Sequence, residues 1–478
     1  MCYICITLIR QLTIPRVMRC YLFFMERNLF TPIISKKTKI AFLWFPPIKG
    51  DRHDLNFKSL KNFGASMLID VLFNAGYDVK ITDKENANKY DIILISLTSN
   101  LDMIALSRLL HNDINWKNRK FKVMAGGFGM QNYIPIAEYI DYAFWGRAEN
   151  DIVSIIDNNF EIEHKSLLKV GKHKDVWINQ SYELYPNVYE FGNGTTKEQI
   201  YGCPNKCFFC HYSFSRKYIK TTENLYSFNQ GYTSSIEIEQ CKKELYKNFA
   251  TPAITSSIDG FSERLRFAMN KRIPNEQIIE FVRYITSNTT CKALRLKLYN
   301  ITGIETETDK DFEQFKEVIS KIGELKKNIS IIIHSTPLNP SICTPVAYSP
   351  INITKDYNKY KACLGKKGVQ RLYETPYLKL LNDFFTEDAS SLLEHTIPIR
   401  TTFNNIEIFN ILAYDKKYRN LRTSDKIEYL SKINGFNDII REYSIDEELP
   451  TQYVNSFIEY DKLKIMRTKM RNALYNNA

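Results

Sequence analysis

Residues 201–214 read YGCPNKCFFCHYSF and place three cysteines, Cys203, Cys207 and Cys210, on one short segment. Thiolate sulfur is a soft ligand that suits iron–sulfur clusters, zinc and copper(I). A structural zinc site is normally closed by four protein ligands. Three thiolates on one loop can instead hold a cube-shaped [4Fe–4S] cluster and leave its fourth iron open to a substrate or cofactor. The segment therefore predicts a metal centre that carries out chemistry, with a structural zinc loop as the alternative.

The composition is that of an ordinary globular protein with two or three domains. The chain has 478 residues, of which 44% are hydrophobic and 25% are charged. Its ten cysteines show no regular pairing pattern, so we expect a reducing, cytoplasmic environment without disulfides. The net charge of +12 allows an acidic partner such as nucleic acid. The basic stretches 416–422 and 462–471 fit either such a partner or a solvated helix face.

The N-terminal segment, residues 1–37, is expected to be an extension outside the folded domains. It is apolar, but arginines interrupt it and leave no charge-free run long enough to span a bilayer. Its Cys2, Cys5 and Cys20 suggest either an extra metal site or a poorly ordered segment. A true start at Met25 is a further alternative.

Residues 38–160 alternate strand and helix patterns and predict a doubly wound parallel sheet. Gly76 is placed to end the first helix. The strand patterns are KIAFLWF (39–45), YDVKITD (77–83), YDIILISLT (90–98), FKVMAGG (121–127) and DYAFWG (141–146). The helical patterns are GASMLIDVLFNAG (64–76) and NLDMIALSRLLHNDI (100–114).

A polar, turn-rich linker is predicted at 161–194, followed by a second α/β domain at 195–350. Strand patterns at 252–258, 293–302 and 328–335 alternate there with helical ones. This order predicts a partial or full (β/α) barrel, whose active site would lie at the carboxyl ends of the strands. Residues 351–478 read as a mainly helical C-terminal region, with a strand-like run, IEIFNILAY, at 406–414.

The spacing Cys203-x-x-x-Cys207-x-x-Cys210, with Phe209 before the last cysteine, resembles the signature of the radical S-adenosylmethionine superfamily. Three later segments are similar to family segments in the expected order. SSIDGFSERLRFAMNKRI (256–273) resembles IESGS…MNKG, LKLYNITGIETETDKDF (296–312) resembles MIGLPGETEED, and STPLNPSICTPV (335–346) resembles PFVPKPHTPF.

The resemblance implies contacts to S-adenosylmethionine in addition to the three cluster ligands. Asp259 stands where the family has Glu, and Ser262 matches the second Ser of its segment. Asp259 and Ser262 could alternatively cap the helix that follows. For the segment around Asn300 and Gly303, which ends the second strand pattern, simple turn formation is the alternative. The residues carried over as cofactor contacts are Phe209, Asp259, Ser262, Asn300 and Gly303. Glu305 departs from the family, which has Pro at its place.

The first domain resembles the cobalamin-binding domain that precedes many radical S-adenosylmethionine cores. VMAGGFGMQN (123–132) is similar to that domain's VVGGPHAT, which makes Gly126 and Gly127 candidates for a corrinoid or phosphate cradle. A tight strand-to-helix turn explains the two glycines equally well. DRHDLN (51–56) lacks the glycine of the D-x-H-x-x-G motif. Cobalamin would therefore bind without a histidine ligand, or the domain keeps only the fold.

The resemblance implies an enzyme whose cluster passes one electron to S-adenosylmethionine, so that a 5′-deoxyadenosyl radical removes hydrogen from a substrate. It also implies an electron donor such as flavodoxin or ferredoxin. With cobalamin, methyl transfer to carbon is the leading reaction; the substrate and reaction class stay open. One alternative is a methylthiotransferase acting on tRNA or protein, which needs three further cysteines in the N-terminal domain, and 38–202 contains none. Another is a non-catalytic zinc- or nucleic-acid-binding protein.

Overall fold

The computed structural model describes most of the chain between residues 34 and 476. The described residues are 34–43, 63–185, 188–190, 194–196, 198, 200–220, 253–290, 294–325, 329–353, 378–380 and 389–476. The predictions that lie outside these ranges concern the N-terminal Cys2, Cys5 and Cys20, the alternative start at Met25, and the DRHDLN segment. No helix in the described ranges is long and apolar enough to cross a membrane.

The first sheet has six strands in the order β2-β1-β3-β4-β5-β6, of which only β6 runs antiparallel to its neighbour. The strands are β1 (Lys39–Leu43), β2 (Asp78–Thr82), β3 (Ile92–Ser96), β4 (Lys122–Gly126), β5 (Tyr142–Phe144) and β6 (Leu167–Lys169). The helices between them are α1 (Phe63–Asn74), α2 (Leu101–Leu110), α3 (Ile114–Lys117) and α4 (Ile152–Asp157). The predicted α/β architecture with a parallel sheet is confirmed.

Both faces of the inner strands β1, β3, β4 and β5 are buried, which explains why these strands read as continuous apolar runs. Ile92 and Leu94 of β3 pack in one apolar cluster with residues of α1 and α4. Ile93 and Ile95 pack in a second cluster on the opposite face with residues of α2. Successive strand residues point to opposite faces, so the sheet separates two cores.

Gly76 ends the first helix, as the sequence predicts. Its φ of 88° is left-handed. The N–H of Gly76 donates to the carbonyl of Phe73 at 3.0 Å, and the N–H of Tyr77 donates to that of Leu72 at 3.1 Å. This pair of hydrogen bonds is the Schellman motif, in which glycine tolerates the left-handed conformation without strain.

The segment predicted as a linker, 161–194, contributes strands. β6 extends the first sheet, and β7 (Val176–Trp177) pairs with a strand of the C-terminal region. The pattern was missed because the strands have only three and two residues, too few for a periodic signal. Next come β8 (Val188–Glu190), β9 (Gly194–Thr196), β10 (Ile200–Tyr201), α5 (His211–Ser215) and β11 (Ile219–Lys220).

The second sheet has four parallel strands in the order β12-β13-β14-β15. They are β12 (Ala253–Ser257), β13 (Leu294–Thr302), β14 (Ile329–Pro337) and β15 (Leu378–Leu380). The helices between β12 and β14 are α6 (Glu263–Ala268), α7 (Asn275–Asn288) and α8 (Asp309–Glu324). Within the described ranges these strands form one row, so the barrel, partial or full, stays a prediction.

The C-terminal region is mainly helical and packs against both sheets. Its elements are α9 (Ala389–Arg400), α10 (Ile406–Tyr414), α11 (Lys416–Asn420), α12 (Thr423–Ser431), α13 (Phe436–Ile440), β16 (Val454–Asn455) and α14 (Tyr460–Asn476). Residues of α9 and α10 join the apolar cluster beneath the first sheet. Residues of α14 pack against α6 and against the cysteine segment.

The strand expected from IEIFNILAY is wrong, since these residues form helix α10. The β-branched residues suggested a strand, but Ile408, Phe409, Leu412 and Ala413 are all fully buried. Positions spaced by four lie on one helix face, and that face packs on the first domain. Arg108 of α2 donates to the carbonyls of Leu412 and Ala413, which fixes the end of the helix there.

A buried ionic cluster attaches α14 to the loop after β13. Arg467 is 1% exposed and contacts the Glu305 carboxylate at 2.5 Å and the Glu442 carboxylate at 2.9 Å. It also donates to Ser349 Oγ at 2.8 Å. The contact with Arg467 gives a structural role to Glu305, which stands where the family has Pro. It also removes one cation from the exposed surface of the basic stretch 462–471.

We predict that Arg467→Met lowers the free energy of unfolding by about 3 kcal/mol, because it leaves the buried Glu305 carboxylate without its counter-charge. Chemical denaturation followed by circular dichroism measures this change. Lys469→Met is the matched control, since Lys469 is exposed on the same helix and lies outside the ionic cluster. Equal stability of the two variants would show that the buried cluster does not hold α14 in place.

Candidate functional site at the cysteine loop and the adjoining cavity

The three predicted ligands lie on a loop, residues 203–210, between β10 and α5. Cys207 is buried, whereas Cys203 and Cys210 are half-buried, and all three thiols are free. The N–H of Cys210 donates to the Cys207 carbonyl at 2.9 Å. Gly202 enters the loop with a φ of 74°, and a Cβ there would lie 2.5 Å from the Lys217 carbonyl oxygen. Only glycine fits this entry.

The cysteine loop is bound to the turn that follows α6. The N–H of Phe208 donates to the Met269 carbonyl at 2.9 Å. The Asn270 side-chain amide donates to the carbonyls of Lys206 and Asn205, at 2.9 and 3.2 Å. The sequence matched Asn270 and Lys271 to a family segment, but it did not show that this segment holds the cysteine loop.

Asp259 and Lys271 form a buried ion pair beside Cys207. Their Oδ2 and Nζ atoms are 2.9 Å apart, and Lys271 also donates to Ser257 Oγ at 2.9 Å. Because Asp259 follows β12, this pair lies at the carboxyl end of the second sheet. Burial raises the pKa of the Cys207 thiol to about 12; the Lys271 charge opposes this shift and the Asp259 charge adds to it. Cys207 is therefore a neutral thiol that must lose its proton to bind a metal.

A cavity of about 410 Å³ opens beside the loop, and we name it the loop cavity. It is lined by Pro204, Asn205, Lys206, Cys207, Asn270, Lys271, Arg272 and Ile273. In the part of the chain that the structure describes, no group of three His, Cys, Asp or Glu side chains is placed to hold a metal ion. Such a group of side chains would bind a single metal ion. The thiolates of a cube bind different irons and lie farther apart than the ligands of one ion.

Two of the other predicted contacts use their polar groups inside the protein. Ser262 Oγ caps α6 by accepting from the Leu265 N–H at 3.4 Å, and it donates to Asp311. Asn300 accepts from the Gly260 N–H at 2.7 Å and donates to Ser335 Oγ at 3.4 Å. These bonds hold the turn that carries Asp259.

Gly303 and Phe209 lie at the same edge. Gly303 has a φ of 72°, and its N–H donates to Glu307 at 3.0 Å. Phe209 is half-buried against the apolar cluster that includes residues of α14. The structure thus brings the second-domain candidates to one edge of the second sheet, next to the loop.

A second cavity, of about 320 Å³, lies at the carboxyl ends of the first sheet, and we name it the sheet-end cavity. In doubly wound folds this edge is where ligands bind. Gly126 and Gly127 line it together with Phe42, Ser96 and Phe144. The opposite wall comes from the segment around the cysteine loop, through Tyr201, His211, Ser215 and Arg216. Sequence reasoning did not find this wall, since no motif marks it.

The geometry of the two glycines supports the turn interpretation, and the corrinoid or phosphate cradle stays a prediction. Gly127 has a φ of 106°, and a Cβ there would lie 2.4 Å from the Leu97 carbonyl oxygen. At Gly126 the corresponding distance to the Phe144 carbonyl oxygen is 3.1 Å. The turn therefore needs glycine at 127 for its backbone conformation, and both residues also line the cavity.

His211 follows Cys210 directly and lines the sheet-end cavity. Its Nδ1 lies 3.0 Å from the Ile342 carbonyl oxygen. A carbonyl only accepts, so Nδ1 carries the proton and Nε2 of the neutral ring is an acceptor. Burial lowers the pKa of His211 to about 4. The short helix α5 thus connects the cysteine loop with the cavity of the first domain.

Comparisons with known proteins show distant similarity. No protein-family model matches the chain. It is 22% identical over 357 residues to the uncharacterized protein MJ0966 of Methanocaldococcus jannaschii, and the alignment covers 64% of this chain and 78% of that protein.

Among solved structures, the chain is similar to the cobalamin-dependent S-adenosylmethionine radical enzyme OxsB. For the apo form, the identity is 13% and the TM-score 0.31, with 91% of this chain and 61% of OxsB covered. For the form with aqua-cobalamin and S-adenosylmethionine bound, the identity is 10% and the TM-score 0.27, with 90% and 66% covered. The chain thus spans about three fifths of OxsB in the first alignment.

Proposed function

We propose that this protein is a radical S-adenosylmethionine enzyme in which Cys203, Cys207 and Cys210 hold a [4Fe–4S] cluster. The observation that carries the proposal is the attachment of a three-cysteine loop to the carboxyl end of a parallel sheet. Asn270 makes this attachment through the backbone carbonyls of Lys206 and Asn205. The combination supports a cluster that faces the edge where α/β proteins bind ligands.

The donor set fits such a cluster. Three free thiols lie on one loop, and the loop cavity lies directly beside Cys207. When bound, the cluster supplies one electron that cleaves S-adenosylmethionine and so creates the radical that takes hydrogen from the substrate. The chain's part is to position the reactants and to exclude water.

The surrounding residues have distinct roles in this proposal. Asp259, Gly303 and Phe209 lie at the sheet edge and contact S-adenosylmethionine. Ser262 and Asn300 hold the turn that presents Asp259 through hydrogen bonds within the protein. Lys271 balances the Asp259 charge next to Cys207.

Cys207→Ala is expected to abolish reductive cleavage of S-adenosylmethionine while the chain stays folded, because a cluster that lacks one of its three thiolates is lost. The measurement is the formation of 5′-deoxyadenosine by anaerobically reconstituted protein, together with the iron content. Cys343→Ala is the matched control, since Cys343 is also buried but lies outside the loop. Cleavage by the Cys207 variant at the wild-type rate would refute the assignment.

We further propose that the sheet-end cavity binds cobalamin. The cavity has the position that ligands take in doubly wound sheets, and Gly126 and Gly127, which the family resemblance marks, line it. The missing D-x-H-x-x-G glycine means that the cofactor is held without the motif's histidine. Methyl transfer to carbon is then the leading reaction.

Gly64→Trp is expected to block cobalamin binding, because Gly64 is an exposed residue of α1 that lines the cavity. The measurement is the absorbance that remains after reconstitution with hydroxocobalamin and desalting. Asn74→Trp is the control, since this residue is exposed on the same helix and lies outside the set that lines the cavity. Retention of cobalamin by both variants, or by neither variant nor the wild type, would contradict the proposed site.

A further inference from the structure

Arg216 lies at the wall of the sheet-end cavity and is held by aromatic rings. Its guanidinium carbon is 4.4 Å from the ring centre of Tyr212, 4.9 Å from that of Phe128 and 5.3 Å from that of Tyr201. Contacts with ring faces restrict the guanidinium group and leave its N–H groups free to donate in the plane. The three rings therefore hold a cation in place without neutralising it.

The second arginine of this cavity has a different environment. Arg147 contacts the Glu149 carboxylate at 2.7 Å and the Glu198 carboxylate at 2.7 Å. Across the described residues, Arg216 has neither a carboxylate contact nor a side-chain hydrogen bond. The protein thus neutralises Arg147 with two carboxylates and provides no such partner for Arg216. Burying a charge without a counter-charge costs free energy.

A further donor lies next to Arg216. Ser215 lines the same cavity and is 2% exposed, and its hydroxyl has no hydrogen-bond partner among the described residues. Apolar side chains also line the cavity, Met67, Leu94 and Met124 among them. The cavity thus combines a cation and a hydroxyl donor with apolar surface.

We propose that Arg216 binds an oxyanion, a phosphate or a carboxylate, that belongs to the ligand of the sheet-end cavity. The planar guanidinium donates two parallel hydrogen bonds to such a group, and the Ser215 hydroxyl adds a third. The oxyanion is either the phosphodiester of a corrinoid cofactor or the acidic group of a separate small substrate. This site does not depend on the iron–sulfur cluster.

The experiment uses the full chain without metal and inorganic pyrophosphate as the probe, with binding measured by isothermal titration calorimetry. Arg216→Gln is expected to weaken binding about tenfold or more, because it removes charge-assisted hydrogen bonds. Lys217→Gln is the matched control, since Lys217 is the adjacent cation, exposed and outside the cavity lining. Arg216→Lys keeps the charge without the planar fork and is expected to bind with intermediate affinity. Melting curves check that each variant is folded.

Titrations with hydroxocobalamin and with cobinamide, which lacks the phosphodiester, distinguish the two sources. If Arg216→Gln weakens binding of cobalamin but not of cobinamide, the oxyanion belongs to the corrinoid. If it weakens binding of pyrophosphate alone, the oxyanion belongs to a separate substrate. If no probe distinguishes the folded Arg216→Gln variant from the wild type, the inference is overturned. Since the Cys207→Ala protein is expected to behave like the wild type here, failure of the radical chemistry would leave this result unchanged.

Discussion

The amide of Asn270 is the contact on which the arrangement of the site depends. The cysteine loop, residues 203–210, consists of turns, so backbone carbonyls along it have no partners within a helix or sheet. Asn270 donates to two of these carbonyls, and Met269 accepts from the Phe208 N–H. The loop is therefore fixed to the second sheet by the chain segment between α6 and α7.

The same short segment joins two sites that belong to different sheets. Cys207 lies on the loop cavity and His211 on the sheet-end cavity, with only three residues between them. Helix α14 covers the segment from outside, since Leu463 and Met470 pack in the cluster that contains Phe208. The C-terminal region, which the family resemblance does not reach, thus supports the cysteine loop directly.

The sequence predicted the elements whose burial creates a clear pattern. The inner strands of the first sheet are buried on both faces and read as apolar runs, and Gly76 marks a helix end because its φ is left-handed. IEIFNILAY failed because its β-branched residues favour a strand locally while its buried positions follow a helix. The strands within 161–194 were missed because two or three residues give no period.

The candidate site was predictable only where a motif carries the chemistry. The three cysteines share a loop in sequence, so their spacing alone located them. The hydrogen bonds of Ser262 and Asn300, and the rings around Arg216, depend on residues far apart in sequence that no local pattern connects. Glu305 looked like a departure from the family segment, and its buried partner Arg467 lies 162 positions away.

The most direct measurement is the electron paramagnetic resonance spectrum of the anaerobically reduced, iron-reconstituted protein with and without S-adenosylmethionine. A cluster held by Cys203, Cys207 and Cys210 has an open iron, so we predict a [4Fe–4S] signal that changes when S-adenosylmethionine binds. A protein that takes up zinc in place of iron, or a cluster signal that S-adenosylmethionine leaves unchanged, would contradict the assignment.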